Sequence, residues 1–271
     1  MTPEAPDGLR GYLYYSANTL YSMGNSKVII FVLSMTVAVA LGLTLMQQVT
    51  EPIAETNEDI FNKRAVLSAI QDYLPGPAED LEDDAVLNLF DSEMKQVAID
   101  LEGEESDVVL AEDINLADEK KKPEAERLLP LYVYEGGDEP IYIFSVRGNG
   151  LWDEIWGYVA IKSDLNTIAG AAFDHKGETP GLGAEIKDSP YFPEQFKGKK
   201  IYTDDGEFVS ILVKKGGGTK GDYHAVDGLS GATITADGVT EMMYRGLKYY
   251  EPYIRKLKAE NGDATLGMLS E

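Results

Sequence analysis

The sequence predicts an α+β domain with a mostly antiparallel sheet and packed helices, preceded by a single N-terminal transmembrane helix. Two observations support the domain. Short apolar segments alternate with turns from Leu131 onward, and apolar residues then recur every three to four positions over residues 236–258. A third observation supports the membrane helix, because residues 28–50 form a run of 23 residues without a charge.

The uncharged segment 28–50 is long enough to cross a bilayer, because a helix of that length spans roughly 35 Å. A cleaved signal peptide is the alternative, since Ala38, Val39 and Ala40 resemble a small-residue cleavage site. Cleavage there would leave the apolar residues 41–46 as a new terminus, and residues 1–27 carry no net positive charge. The sequence therefore predicts an uncleaved membrane anchor.

The orientation of this anchor rests on few charges. Lys27 lies at one end of the span, whereas Lys63 and Arg64 lie within about 15 residues of the other end. Lys27 favours a short cytoplasmic N-terminus at residues 1–27 and an exported domain after residue 50.

The composition excludes several classes of protein. The formal net charge is −23, which disfavours nucleic acid as a partner. The chain has no cysteine, so it forms no disulfides and holds no cysteine-ligated iron–sulfur cluster. With only two histidines, His175 and His224, a multi-histidine metal site is not expected. A redox cofactor of this chain would therefore be organic.

Residues 51–130 are expected to form a juxtamembrane helix and an acidic elaboration. Residues 55–73 carry helical spacing of apolar side chains, and Pro75 and Gly76 end the pattern. Acidic residues dominate from 78 to 127. We expect a solvated segment with weak strands there, and a docking surface for a partner subunit is the alternative.

Residues 131–260 carry the predicted domain, and residues 261–271 are expected to form a frayed C-terminal tail. Four strands are predicted within residues 131–174, a helix-like segment at 189–198 and a further strand at 207–218. A glycine-rich irregular stretch then leads into the last amphipathic helix.

The stretch Asp227-Gly228-Leu229-Ser230-Gly231-Ala232-Thr233-Ile234-Thr235 lies immediately before that helix. Its small residues allow a tight turn and the close approach of a bulky group. The unpaired amides at a helix start would stabilise a phosphate. Thr235 is the expected N-cap, which leaves the Thr233 hydroxyl free to project outward. A loop whose hydroxyls only cap the helix is the alternative.

Two further segments could contact a flat aromatic ligand. In residues 175–185, Pro180 and three glycines rigidify a loop that exposes amides and the apolar Leu182. In residues 148–158, Trp152 and Trp156 could stack on a ring or simply belong to the core. His175 alone is expected to be a structural hydrogen-bonding residue.

Taken together and in this order, the motifs GLW, GYVA, ETPGLGAEI, QFKGK and DGLSGATIT resemble the FMN-binding domain family over about residues 131–256. The string Asp-x-x-Ser-Gly-Ala-Thr at residues 227–233 matches that family's flavinylation motif. Within the family, the chain is most similar to the NqrC subunits of sodium-translocating NADH:quinone oxidoreductases, and the RnfG subunits of Rnf complexes are close relatives.

This resemblance implies that Thr233 is esterified to the phosphate of FMN by a separate flavin transferase. It implies non-covalent FMN contacts at the following positions: Trp152, Glu178, Thr179, Gly181, Leu182, Lys214, Asp227, Ser230, Gly231 and Ala232. It assigns the chain no metal and no catalytic residue.

By the same resemblance, the chain is a single-pass protein of the bacterial inner membrane with its C-terminal domain on the periplasmic side. It would relay electrons within a pump that oxidises NADH, reduces a quinone and exports sodium, with the other membrane subunits of that pump as partners. Two interpretations stay open beside this one. The chain could serve an Rnf-type or another electron route, or it could be a non-redox acidic module that docks partners.

Overall fold

The computed structural model describes the backbone of residues 7–268 and the side chains of residues 26–260. The predicted cytoplasmic segment and the C-terminal tail therefore lie partly outside the described residues. The chain divides between Asp59 and Ile60 into two compact units.

The first element is one long helix, α1 (Asp7–Ser68), with Pro52 inside it. Between residues 28 and 50 every side chain is exposed. The hydroxyls of Ser34, Thr36 and Thr44 donate to carbonyls three or four residues earlier, so they present no unsatisfied donor to lipid. By length and composition, this is the one helix in the described part of the chain that could cross a membrane.

The segment 55–73, for which the sequence predicts a helix, is helical up to Ser68. The span and this segment form one continuous helix, which ends at Ser68 and is followed by a 3₁₀ turn at Gln71–Tyr73. Pro52 removes one backbone donor without ending the helix, because a proline within a helix can bend it instead.

The second unit contains a six-stranded sheet in which all paired strands are antiparallel. Its strands lie in the order β2-β1-β3-β4-β5-β6. Their bounds are β1 (Met94–Asp100), β2 (Glu105–Ser106), β3 (Leu128–Tyr134), β4 (Ile141–Asn149), β5 (Glu154–Ile161) and β6 (Ile168–His175). A separate parallel pair joins β7 (Leu212–Lys214) to β8 (Ala225–Asp227). The predicted α+β class with a mostly antiparallel sheet is confirmed.

Helices cover both faces of the six-stranded sheet. On one face lies α6 (Thr233–Met268), where Gly246 allows close packing on Val146 and the ring of Tyr250 lies 4.9 Å from that of Phe144. On the other face, the last turns of α1 and the helix α2 (Asp83–Glu93) bury Leu67 and Phe90. The shorter helices are α3 (Leu116–Glu119), α4 (Glu185–Asp188) and α5 (Tyr191–Glu194).

The expectation of weak strands in the acidic segment 78–127 is wrong. Strand β1 pairs with β3 along its whole length, and Val97 and Ile99 are buried in the core. The acidic residues lie mainly in the turns and short helices around this strand, which hid its alternation in the sequence. The segment is therefore part of the domain.

The last helix also differs from its predicted bounds of 236–258. It begins at Thr233 and its backbone continues to Met268, beyond the start of the predicted frayed tail. Residues 269–271 lie outside the described residues. The predicted strand at 207–218 is shorter in the structure, because only Leu212–Lys214 pairs with another strand, β8.

Candidate functional site

The turn that enters α6 is fixed by backbone hydrogen bonds. The amide of Gly228 donates to the Lys214 carbonyl at 2.9 Å, and the amide of Ala232 donates to the Leu229 carbonyl at 3.3 Å. Gly231 has φ +77°, a left-handed conformation that favours glycine. The Ala232 carbonyl accepts the first helical hydrogen bond, from Ala236 at 2.9 Å. The turn therefore presents the start of α6 in a fixed direction.

Asp227 secures this turn from inside. Its backbone amide donates to Gln195 Oε1 at 2.9 Å, and its carbonyl accepts from Gln195 Nε2 at 3.2 Å. Its carboxylate accepts hydrogen bonds from the Thr219 hydroxyl at 2.6 Å and the Thr219 amide at 3.0 Å. These hydrogen bonds hold the pKa of the Asp227 carboxyl below its ordinary value. Through these hydrogen bonds, Asp227 connects the turn before α6 to Gln195 and Thr219.

The two threonines of the motif have different partners. Thr235 is buried, and its hydroxyl donates to Glu178 Oε2 at 2.7 Å. Thr233 is half-buried at the first position of α6, and its hydroxyl makes no hydrogen bond to another described residue. The predicted N-cap role of Thr235 is wrong, because the helix begins at Thr233 and Thr235 lies within its first turn. The expectation that the Thr233 hydroxyl is free agrees with this geometry.

Glu178 links the two loops that the sequence singled out. The residue is 5% exposed, and its carboxylate accepts hydrogen bonds from the Trp152 amide at 2.9 Å and from the Thr235 hydroxyl. A Cβ atom at Gly150 would lie 2.5 Å from Glu178 Oε1, and one at Gly183 would lie 2.6 Å from Thr235 Oγ1. These glycines leave room for the carboxylate. Glu178 thus holds the loops 150–152 and 177–184 against the start of α6.

Apolar side chains lie exposed beside Thr233. Trp152 is 68% exposed, and its Nε1 donates to Thr179 Oγ1 at 3.0 Å. Leu182 is 41% exposed and lies so close to Gly231 that a Cβ atom there would be 2.8 Å from Leu182 Cδ2. Ile234 is also exposed. An exposed apolar surface beside a helix start suits a flat aromatic ligand that carries a phosphate.

The remaining predicted site residues are placed as follows. Ser230 and Gly231 are exposed and Ala232 is buried. Gly181 has φ +75° and open space around it, within the loop that carries Leu182. The Lys214 side chain is exposed, whereas the backbone carbonyl of Lys214 accepts a hydrogen bond from the Gly228 amide. Contacts therefore connect Trp152, Thr179 and Glu178 with one another and with Thr235, and Leu182 with Gly231. Lys214 is connected to the turn through its carbonyl.

Sequence reasoning missed Gln195, Thr219 and the role of Thr235, which hold the loops through hydrogen bonds. The sequence indicated these contacts only at Gly150 and Gly183, since a glycine in a loop can mark the close approach of another group. His175 is structural as expected, because its Nδ1 accepts from the Glu178 amide at 3.2 Å. Among the described residues, no group of three acidic, histidine or cysteine side chains could hold a metal.

Known proteins are similar to this chain in sequence. Residues 150–248 match the FMN-binding domain family. The C subunit of the Na(+)-translocating NADH-quinone reductase from Vibrio anguillarum is 42% identical over 131 residues, which are 47% of this chain and 51% of that protein. Its counterpart from Neisseria meningitidis serogroup B is 41% identical over 133 residues, 48% of this chain and 50% of that protein. The chain thus aligns with about half the length of these curated relatives.

Two solved structures extend the match. The crystal structure of the C subunit of the Na(+)-translocating NADH-quinone reductase from Parabacteroides distasonis is 34% identical, with a TM-score of 0.66, over 74% of this chain and 95% of that one. The structure of Shewanella oneidensis NqrC is 30% identical, with a TM-score of 0.65, over 75% of this chain and 99% of that one. Such identity over about three quarters of this chain and nearly the whole of both structures shows that the chain belongs to the NqrC family of Na(+)-translocating NADH-quinone reductase subunits.

Proposed function

We propose that the chain carries FMN and relays electrons within a membrane-bound, sodium-translocating NADH:quinone oxidoreductase. The observation that carries this proposal is the first turn of α6, where the Thr233 hydroxyl has no hydrogen-bond partner among the described residues while the Thr235 hydroxyl is bound to Glu178. The match of residues 150–248 to the FMN-binding domain family supports the choice of cofactor.

In this proposal FMN is attached covalently to Thr233. The Thr233 oxygen would form a bond to the flavin-side phosphorus of FAD. The phosphoanhydride bond of FAD would break with AMP as the leaving group, and the hydroxyl proton would pass to solvent. A separate flavin transferase would carry out this step. The product is a phosphodiester with about one negative charge, which the free amides at the start of α6 would stabilise.

The apolar side chains beside Thr233 would hold the flavin ring. Leu182 and Trp152 offer exposed apolar surface, and Glu178 fixes the backbone amide of Trp152. The Lys214 side chain would lie near the phosphate, and Ser230 and Gly231 would line the turn. FMN, when bound, supplies one- and two-electron transfer, and the protein supplies position, shielding and local charge.

The share of this chain in the larger reaction is the relay of electrons. It has no cysteine for an iron–sulfur cluster, and we assign the oxidation of NADH and the reduction of quinone to other subunits. We place the domain after residue 50 on the periplasmic side of the bacterial inner membrane, since Lys27 lies at the start of the span. A reporter that is active only after export, fused behind Glu55, should be active; activity only when it is fused ahead of Lys27 would reverse the orientation.

Isolation of the complex tests the proposed function. The full chain, tagged at its C-terminus and expressed in its native host, should co-purify from membranes with the other subunits of the pump. NADH should then bleach the flavin absorbance of the complex, whereas the isolated chain should not respond to NADH. A chain that purifies without flavin, or a flavin that NADH does not reduce within the complex, would contradict the proposal.

A further inference from the structure

A cavity of about 160 Å³ opens between α6, the end of β4 and the segment that leads from α3 to β3. None of the residues proposed above to hold FMN lines this cavity. Its walls are largely apolar and are formed by Leu101, Leu116, Leu129, Met242, Tyr249 and Tyr250. The cavity is therefore a separate, ligand-sized apolar site on the domain.

Basic side chains gather around this cavity although the chain as a whole carries a net charge of −23. Lys120, Arg127, Arg147 and Arg245 all line it, and two carboxylates, Glu119 and Glu241, line it as well. Each arginine has a carboxylate partner. Arg245 Nε lies 3.2 Å from Glu241, Arg147 Nε lies 3.3 Å from Glu154, and Arg127 lies 3.8 Å from Glu124.

Lys120 differs from these arginines because it has no carboxylate partner among the described residues. Its Nζ contacts only the Arg147 carbonyl, at 3.4 Å. The nearest acidic residue in sequence, Glu119, is bound to Lys122 at 2.7 Å and to the Leu128 amide at 3.0 Å. The paired charges cancel, so the cavity keeps one uncompensated positive charge at Lys120.

The surroundings of Lys120 disfavour its charged form. Burial lowers the pKa of the Lys120 ammonium, the charges of Arg147 and Arg245 lower it further, and only Glu154 opposes them. A bound anion would relieve this repulsion. The cationic side chains thus favour a negatively charged ligand, and the walls favour an apolar one.

We propose that this cavity binds a small monocarboxylate whose apolar body is about the size of one aromatic ring, with its carboxylate facing Lys120. The size follows from the volume, since an apolar cavity of roughly 150 Å³ holds a benzene molecule. The charge follows from the single unpaired ammonium, which balances one carboxylate. A phosphate dianion would carry excess charge and leave the apolar walls unfilled, and a neutral ring would leave Lys120 without a partner.

Methyl NMR of the full chain in detergent micelles tests this proposal directly. Met242 lines the cavity, whereas its buried neighbour Met243 does not. With methionine methyl groups labelled and Met242 assigned by Met242→Leu, sodium benzoate should shift the Met242 signal in a saturable way and leave Met243 in place. Benzyl alcohol and inorganic phosphate should produce at least a tenfold weaker response. No saturable shift with benzoate, or an equal response to benzyl alcohol, would overturn the proposal.

A matched pair of lysine variants tests the role of the charge. Lys120→Met keeps the side-chain length and should weaken benzoate binding about tenfold, because a charge-assisted contact is lost. Lys120→Arg keeps the positive charge and should retain most of the wild-type affinity for benzoate. Lys121→Met is the control, since Lys121 is exposed, pairs with Asp118 at 2.7 Å and lies outside the cavity. Equal benzoate affinity in Lys120→Met and Lys121→Met, with both chains folded, would contradict the proposal.

Discussion

The hydrogen bond between Thr235 and Glu178 should contribute measurably to the stability of the domain. Thr235→Val keeps the β-branched shape and nearly the same volume but removes the hydroxyl. Glu178 Oε2 then loses a donor 2.7 Å away in a site where the residue is 5% exposed. A hydrogen bond to a charged group is worth about 1.5–3 kcal/mol, and a buried acceptor without a partner is costly.

The size of this effect can be read from thermal unfolding. For a domain of roughly 150–250 residues, 1 kcal/mol shifts the Tm by about 2–4 °C, so Thr235→Val should lower the Tm by about 3–12 °C. Tryptophan fluorescence is a suitable signal, since the chain has only two tryptophans and the Trp152 amide also binds Glu178. Variants should be compared in one detergent at one scan rate.

Two comparisons separate this hydrogen bond from general effects of substitution. With wild type and all variants produced without the flavin transferase, so that none carries flavin, Thr233→Val is the matched control: the Thr233 hydroxyl makes no hydrogen bond to another described residue, and its loss should change the Tm little. In a double-mutant cycle, Thr235→Val and Glu178→Gln should be less than additive by about 1–2 kcal/mol. If Thr235→Val destabilises no more than Thr233→Val, or if the two variants at 235 and 178 are additive, the reasoning fails.

Three further predictions concern the loops around Thr233. Trp152→Ala or Leu182→Ala should leave the covalent flavin in place but alter the fine structure of its absorbance, because ring packing and attachment use different groups. Gly231→Ala should destabilise the turn by about 1–2 kcal/mol, since Gly231 has φ +77° and its new Cβ would meet Leu182. Hydrogen bonds from Thr219 lower the pKa of the Asp227 carboxyl in the folded protein. These hydrogen bonds therefore stabilise the folded state fully above the pKa of the unfolded chain, about 3.9, and the stabilisation is lost as the pH falls through the lower pKa of the folded state. Thr219→Val should therefore move acid unfolding, followed by fluorescence, to higher pH.

Each of these predictions has a result that would contradict it. A wild-type spectrum and electron-transfer rate would remove Trp152 or Leu182 from the ring contacts. For Gly231→Ala, the comparison is Gly198→Ala, because Gly198 also has a positive φ, +75°, but lies in open space. An equal Tm for the two variants would show that contact with Leu182 does not destabilise Gly231→Ala. An unchanged acid midpoint in Thr219→Val would show that Asp227 does not depend on Thr219.

The sequence predicted those parts of the fold whose residues alternate regularly. Strands β3 to β6 and the amphipathic part of α6 follow from the spacing of their apolar residues. Strand β1 could not be predicted in this way, because its buried residues lie between runs of acidic side chains. The sequence predicted helix in the span 28–50 and again at 55–73, but it did not predict that one helix continues through Pro52 between them.

The candidate site was predictable where it rests on local sequence. The small residues of the turn and the position of Thr233 before the last helix were visible in the sequence. The role of Glu178 was not, because its carboxylate binds a hydroxyl 57 residues away. That long-range contact distinguishes Thr235 from Thr233, and no local rule of helix capping could predict it.

Covalent attachment of FMN at Thr233 is the central claim, and Thr233→Val tests it most directly. The variant keeps the shape of the side chain and removes the one oxygen proposed to bind the phosphate, so folding and membrane insertion should persist. The measurement is in-gel flavin fluorescence after denaturing electrophoresis, with mass analysis of the peptide that contains Thr233, in a host that supplies the flavin transferase. Wild type and Thr235→Val should carry fluorescence and the mass of FMN less one water on that peptide, and Thr233→Val should carry neither. Fluorescence that survives denaturation in Thr233→Val would contradict the account.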